Sequence, residues 1–277
     1  MTISETGTAD SLEFDAQFAR AYDLLENTPQ NVFVTGKAGT GKSTLLKYFR
    51  AHTSKNVVAL APTGVAAVHV NGQTIHSFFR FKPDITPESV SSIKIRRTQR
   101  NIYKKLDAVV IDEISMVRAD LLDCVDAFLR RHGPKADTPF GGVQMIFFGD
   151  LYQLPPVVQH HDRGLFTDVY AGPYFFHAKS FQDLKIQILE LEKIYRQKEE
   201  DFIRLLGFIR TKSVTEEHLS FLNKRVLPDF EPKDDEFYIY LTPTNAWADQ
   251  INQNRLKALP AKPFFMEGEI KGEFDQK

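Results

Sequence analysis

Eight residues constrain this chain more than any others: Gly36-Lys-Ala-Gly-Thr-Gly-Lys42-Ser43, a full match to G-x-x-x-x-G-K-[ST]. The preceding run, Asn31–Thr35, is short, apolar and rich in β-branched residues, as a fully buried strand requires. The following residues, Thr44-Leu-Leu-Lys-Tyr-Phe, carry helical spacing. Between a strand and a helix, the glycines let consecutive backbone N–H groups converge on one anion, and the helix N-terminus adds partial positive charge. The pattern therefore marks Gly36, Ala38, Gly39, Thr40, Gly41, Lys42, Ser43 and Thr44 as a nucleotide-binding set. Lys42 is expected on the β and γ phosphates and Ser43 on Mg²⁺. The bland alternative, a Gly/Lys turn joining strand and helix, leaves the full match unexplained.

Further short buried strands are expected at Asn56–Ala61, Asp107–Asp112, Val143–Phe148, Gln187–Glu192 and Phe237–Leu241. Helices are expected at Phe14–Glu26, from Val65, at Arg118–Arg131, Glu199–Thr211, Thr215–Lys224 and Asn245–Leu259. Strands alternating with helices give an α/β fold, a mostly parallel sheet covered on both faces, with ligands at the carboxyl ends of the strands. Four polar groups fall at those ends: the glycine loop, Pro62-Thr63-Gly64, Asp112-Glu113 and Gly149-Asp150.

Each group has a chemical reading and a plainer one. Asp112 is placed to hold a metal and Glu113 to orient or deprotonate water; two acids after a strand are also an ordinary helix start. Gln153 is placed to hydrogen-bond a γ-phosphate and a water; alone it reads as a loop glutamine. Arg196 offers a guanidinium to phosphate charge, or a salt bridge to Glu192 or Glu199. Tyr195 offers a ring to a base, or to a core or rim. Residues 82–106 are looser, and Lys94, Arg96, Arg97, Arg100, Lys104 and Lys105 stand there without an intervening acid. That run is a phosphate-tracking surface or a solvated helix face.

The net charge of −1 excludes a protein coated in positive charge, though not a local basic groove. The single cysteine, Cys124, excludes an intrachain disulfide framework and fits a buried helix position in a reducing compartment. Residues 1–12 read as a disordered polar tail, with neither a secretory nor a mitochondrial signal, and no apolar stretch is long enough to span a membrane.

Taken in order, GKAGTGKST, APTGVAA with TIHSFF, VIDEISMV, GDLYQLPPV, KIYRQ and LTPTNAWADQIN resemble the Pif-type DNA helicases, the RecD-like branch of superfamily one. The resemblance runs from Gln17 to about Leu259. It implies a RecA-like P-loop NTPase domain over residues 13–184 with a small wedge insertion near 75–95, then an incomplete second RecA-like domain over 185–277. It implies ATP and Mg²⁺ as cofactors and 5′-to-3′ movement along single-stranded DNA. Partners are then single-stranded and forked or tailed duplex DNA, in repair, recombination or telomere maintenance, with the protein acting as a monomer in cytoplasm or nucleus.

Residue by residue, the resemblance makes Gln17 the adenine reader, Lys42 and Ser43 the phosphate and magnesium contacts, and Asp112 a magnesium acid. It makes Glu113 the catalytic carboxylate, Gln153 the sensor between nucleotide and DNA, and Arg196 the γ-phosphate arginine. Thr63, Gly64, Thr74, His76, Ser77 and Phe78 become DNA contacts, hydroxyls and N–H groups on phosphates and rings on bases. Later family motifs are not found after Trp247, so the chain reads as the front part of a helicase, with weak hydrolysis and no unwinding expected. The alternatives are a non-unwinding ATP- and DNA-binding interaction module, or a small-molecule kinase; the kinase leaves APTGVAA, TIHSFF and QLPPV without a role.

Overall fold

The computed structural model describes residues 16–194, 200–230, 232, 236, 238–262, 264 and 266–269. The chain divides into two compact units, Met1–Val214 and Thr215–Lys277. The expected polar tail lies outside the described residues.

In the first unit six strands form one sheet in which every pair is parallel. They are β1 (Asn31–Gly36), β2 (Val57–Ala61), β3 (Gln73–Thr74), β4 (Ala108–Ile111), β5 (Gln144–Phe148) and β6 (Ile186–Leu191), in the order β3-β2-β4-β5-β1-β6. Around them run α1 (Ala16–Asn27), α2 (Lys42–His52), α3 (Gly64–His69), α4 (Ile75–Phe79), α5 (Arg97–Lys104) and α6 (Ala119–His132). Two single-turn helices, α7 (Leu165–Asp168) and α8 (Lys179–Gln182), precede β6, and α9 (Glu200–Arg210) closes the unit.

Strand alternation divides the core in two. Phe33, Leu60, Val109, Ile111, Met145 and Phe147 point to the face covered by α4 and α6. Val32, Val34, Ala59, Val110, Ile146 and Phe148 point to the face covered by α1 and α2. Both faces are apolar, which is why the strands read as continuous hydrophobic runs. On the first face Phe79, Phe81, Tyr103 and Phe128 form a ring cluster that ties α4, α5 and α6 together, and the Tyr103 hydroxyl donates to the Phe78 carbonyl at 2.8 Å. Cys124 is fully buried there, as its place in an apolar helix implies.

Three features depart from the sequence reading. The segment Ile186–Leu191, assigned to a second domain, pairs along its whole length with β1 and so belongs to the first sheet. The stretch near 75–95 is not wholly an insertion, because Ile75 and Phe79 are buried in the core of that sheet. In the second unit, α10 (Glu216–Asn223) and α11 (Asn245–Ala258) form where expected, each capped by a threonine side chain, Thr215 and Thr244. Residues 238–241, however, are not a strand, and their side chains are exposed. Among the described residues they have no partner strand, and an unpaired strand leaves its backbone groups to water.

Candidate functional site

Because the sheet is wholly parallel, the carboxyl ends of its strands share one edge. Read across the sheet they give Thr74, then Thr63, Asp112-Glu113, Gly149-Asp150, the glycine loop and Leu191. The order is fixed by hydrogen-bonded register: Leu60 and Ala61 of β2 stand opposite Gln73 and Thr74, and Thr35 and Gly36 of β1 opposite Glu190 and Leu191.

The glycine loop needs its glycines. A Cβ on Gly36 would lie 2.5 Å from the Leu191 carbonyl oxygen and 2.7 Å from Thr40 Oγ1, and Gly39 and Gly41 take positive φ, the latter as the N-cap of α2. Thr40 is buried and its hydroxyl donates to the Lys37 carbonyl at 2.9 Å, which closes the turn. Ala38, Ser43 and Thr44 are exposed on the loop and the first turn of α2. Lys42 bends back over the loop and donates to the carbonyls of Gly36 at 2.6 Å and Lys37 at 3.0 Å. Burial pushes its pKa down, opposed by the carboxylates of Asp150, Glu113 and Asp112.

Asp112, 9% exposed, has its pKa pushed up to about 6, chiefly by burial, with repulsion from Glu113 adding to it. The Glu113 backbone N–H and the Lys42 charge act in the opposite direction. Glu113 itself takes φ 51° and ψ 42°, a left-handed conformation uncommon for a side chain of this size. Such strain concentrates at functional positions. The turn is held from beneath by Gly149, where a Cβ would meet the Ile114 side chain at 2.8 Å.

Asp150, 2% exposed, organises the next corner. Its carboxylate accepts from the Tyr152 N–H at 3.1 Å, from Gln153 Nε2 at 3.2 Å and from Arg210 at 2.9 Å. Gln153 is thus held against Asp150, and the Arg210 guanidinium also lies 4.4 Å from the centre of the Tyr152 ring. Its Nε is buried and, among the described residues, has no hydrogen-bond partner. Arg210 ends α9 and was invisible to sequence reasoning, because a basic residue in a last helical turn is ordinary. Tyr195 and Arg196, the other expected members of this corner, lie outside the described residues.

Gln17 is engaged elsewhere. Its carboxamide oxygen accepts from the Glu192 N–H at 3.2 Å and its amide donates to the Glu190 carbonyl at 3.4 Å, so the side chain grips the outer edge of β6.

At the far end of the edge, Thr63 caps α3 by accepting from the Ala66 N–H at 3.3 Å, and Thr74 caps α4 by accepting from the Ser77 N–H at 3.1 Å. Thr63, Gly64 and Ser77 are exposed, and Thr74 and His76 half-buried. Burial lowers the His76 pKa, so the ring is neutral at neutral pH. Phe78 is half-buried and packs edge-on to Tyr103 with centroids 5.4 Å apart, which commits much of its ring to the core.

The donor set suits a nucleotide with a hard cation. A narrow glycine loop beside a buried, poorly compensated carboxylate and a serine hydroxyl offers N–H groups, one amine and oxygen ligands. Among the described residues no cluster of three or more His, Cys, Asp or Glu forms a metal cage. Mg²⁺ held through one or two protein oxygens and substrate phosphates requires none.

Known proteins resemble this chain in sequence and fold. A family model described as PIF1-like helicase matches residues 15–213. The ATP-dependent DNA helicase PIF1 of Saccharomyces cerevisiae is 34% identical over 249 residues, which cover 86% of this chain and 28% of that protein. The Homo sapiens protein of the same name is 34% identical over 238 residues, 84% of this chain and 35% of that one. The crystal structure of Pif1 helicase from Bacteroides in complex with ADP-AlF3 and ssDNA superposes with a TM-score of 0.83 at 39% identity, covering 90% of this chain and 58% of that one. The chain therefore spans about a third of the length of these curated relatives. With the glycine loop, the two acids after β4 and the Asp150 corner all inside the matched span, the chain belongs to the PIF1-like helicase family.

Proposed function

We propose that this chain forms the nucleotide-binding part of an ATP-dependent DNA helicase that moves 5′ to 3′ on single-stranded DNA with Mg²⁺. The observation that carries the reading is the convergence of Lys42, Asp112, Glu113 and the Asp150–Gln153 pair at the mouth of one glycine loop. A relative of the same fold binds ADP-AlF3 and ssDNA, which supports both ligands.

In this proposal Gly36, Ala38, Gly39, Thr40, Gly41 and Thr44 cradle the phosphates by their N–H groups. Lys42 leaves the two loop carbonyls and neutralises the β and γ phosphates. Ser43 and Asp112 hold Mg²⁺, which supplies charge neutralisation to the phosphates. Glu113, fixed by its left-handed backbone, takes a proton from the attacking water. Gln153, steadied by Asp150, reads the γ-phosphate, and Arg210 holds Asp150 in place; Arg196 contributes the second cation. Gln17 reads adenine, and Tyr195 stacks on it, once the Gln17 amide is released from β6. Thr63, Gly64, Thr74, His76, Ser77 and Phe78 carry the DNA strand at the other end of the same edge, with His76 as the main ring surface. In domain terms, the first RecA-like lobe extends through β6 and the second begins beyond it.

The test is ATP hydrolysis with and without oligo-dT, for the wild-type chain and Lys42→Ala. Nucleotide binding that depends on Lys42, with any hydrolysis stimulated by oligo-dT, supports the reading. Binding unchanged by Lys42→Ala refutes it.

A further inference from the structure

An open cavity of about 480 Å³ lies between α6, the single-turn helices α7 and α8 and the loop at Thr86–Glu88, and none of the nucleotide-site residues lines it. Five of its side chains are carboxylates, Glu88, Asp120, Asp123, Asp126 and Asp183, against two cations, Arg130 and Lys179. Two of the acids are already answered. Arg118 donates twice to Asp120, at 3.0 and 2.6 Å, and Arg130 donates to Asp126 at 2.7 Å.

The other three are not. Asp123 meets neutral donors alone: the Tyr170 hydroxyl at 2.9 Å and the backbone N–H groups of Lys179 at 3.2 Å and Ser180 at 2.9 Å. Among the described residues no ion pair involves Glu88, Asp123 or Asp183. Lys179 turns instead to a ring, its Nζ 5.5 Å from the centre of Tyr170. Charges from the loop and from α6 act on a common point: burial pushes the Cys124 thiol up, and Asp120, Asp123 and Glu88 push it further. Three carboxylates facing one lysine leave an excess of negative charge that a cation would relieve.

A second, independent observation points to a ligand. Ser180 lines the same cavity and is 6% exposed, yet its Oγ has no hydrogen-bond partner among the described residues. A buried hydroxyl left unmet costs stability, and native structures rarely keep one without a use.

The lining also gives the shape of the cation. Asp120, Asp123 and Asp126 recur at every third residue of α6, which sets them about 5–6 Å apart on one face. Ala127, Leu165 and Val169 put apolar surface beside that row. An extended chain advances roughly 1.2 Å per bond, so amines joined by three or four methylenes also stand about 5–6 Å apart. A single metal ion suits the cavity less, because among the described residues no three His, Cys, Asp or Glu converge on one point. We propose that this cavity binds a linear aliphatic polyamine, with ammonium groups on Glu88, Asp123 and Asp183 and methylenes against Leu165 and Val169. The Ser180 hydroxyl accepts from one ammonium. An occupied site ties the Thr86–Glu88 loop to α6 and α8. The inference stands apart from the function proposed above and needs no nucleotide or DNA.

The experiment is isothermal titration calorimetry of the full chain with spermidine, without nucleotide or DNA, at an ionic strength fixed with NaCl. One saturable site is expected, with 1,3-diaminopropane binding more weakly because it reaches fewer acids. The exposed pair Glu88→Gln/Asp183→Asn should weaken spermidine binding roughly tenfold. Lys42-dependent nucleotide binding stays unchanged in that variant. Ser180→Ala should raise the Tm of the unliganded chain, by removing an unmet hydroxyl, and yet lower spermidine affinity. A merely structural serine would change the first alone. Absence of a saturable spermidine site, equal affinity for the two amines, or displacement by Mg²⁺ at matched ionic strength would overturn the proposal. So would unchanged affinity in the double variant or in Ser180→Ala.

Discussion

Replacing Asp112 by asparagine should make this protein more stable at neutral pH and, on the function proposed above, weaken its hold on Mg²⁺. Asp112 titrates at about 6 rather than 3.8, chiefly through burial. A carboxyl whose folded pKa is raised contributes stability that is complete below the unfolded value and is lost as pH rises through the folded one. At pH 7.5 the ionised side chain is therefore a burden on the fold. A shift of roughly two units at 1.36 kcal/mol each makes that burden about 3 kcal/mol. Asparagine keeps an oxygen for the Glu113 N–H but brings an amide that needs its own partner, which offsets about 1 kcal/mol. The net gain of about 2 kcal/mol corresponds to about 4–8 °C in Tm for a chain of this size. Thermal unfolding in EDTA at pH 7.5 and near pH 4 checks it: the gain appears at the first and vanishes at the second. Added Mg²⁺ and ATP should then stabilise the wild type and not the variant. A variant no more stable at pH 7.5, or equally stabilised at both pH values, would refute the reasoning, because the Lys42 attraction would then outweigh burial.

Three further outcomes follow from buried groups. Arg210→Ala breaks a pair whose side chains are 16% and 3% exposed, so urea unfolding should show a loss of about 3–5 kcal/mol, and combining it with Asp150→Asn should restore part of it. A loss under about 1 kcal/mol would mark the pair as a surface contact. His132 is buried with Nε2 unpartnered among the described residues, and burial followed by the charges of Arg131 and Arg100 lowers its pKa. Its stability contribution is present above the ordinary value of 6.5 and lost as pH falls through the lowered one, so His132→Phe should flatten the acid limb of the stability curve, leaving the slope due to His76. Cys124, fully buried and with its thiol pKa pushed up by burial, should react with thiol reagents only at the rate of unfolding; rapid labelling of the native chain would contradict its packing.

The parts of this protein legible in its sequence are those set by neighbours along the chain. The glycine loop, the acids after β4 and every strand in the first unit but the two-residue β3 stand where local pattern puts them, within a residue or two. What local pattern does not contain is the order of strands across the sheet. Hence Ile186–Leu191 reads as the start of a new domain, although it lies in register beside β1. The same limit hides Arg210, which reaches Asp150 only because α9 returns to the loop, and the grip of Gln17 on β6. Residues 238–241 fail in the other direction: Tyr238, Ile239, Tyr240 and Leu241 have strand propensity, but propensity supplies no partner. Phe78 looks free to stack because sequence shows its type and not that Tyr103 already lies against it.

The position of β1 between β5 and β6 also sets a timetable for biosynthesis. The side chain of Asn31, at the start of β1, bonds to a carbonyl 154 residues further on, and the Gln30 carbonyl accepts from a side chain 114 residues further on. At about 5–20 residues per second, the later of these partners is made roughly 8–30 s after Asn31. For roughly the first 6–23 s of that interval both edges of this apolar strand are unpaired, and the β6 edge stays open until its end, which makes the nascent chain a natural client for chaperones. Slower translation through residues 37–185 would lengthen that exposure without altering one contact of the finished protein.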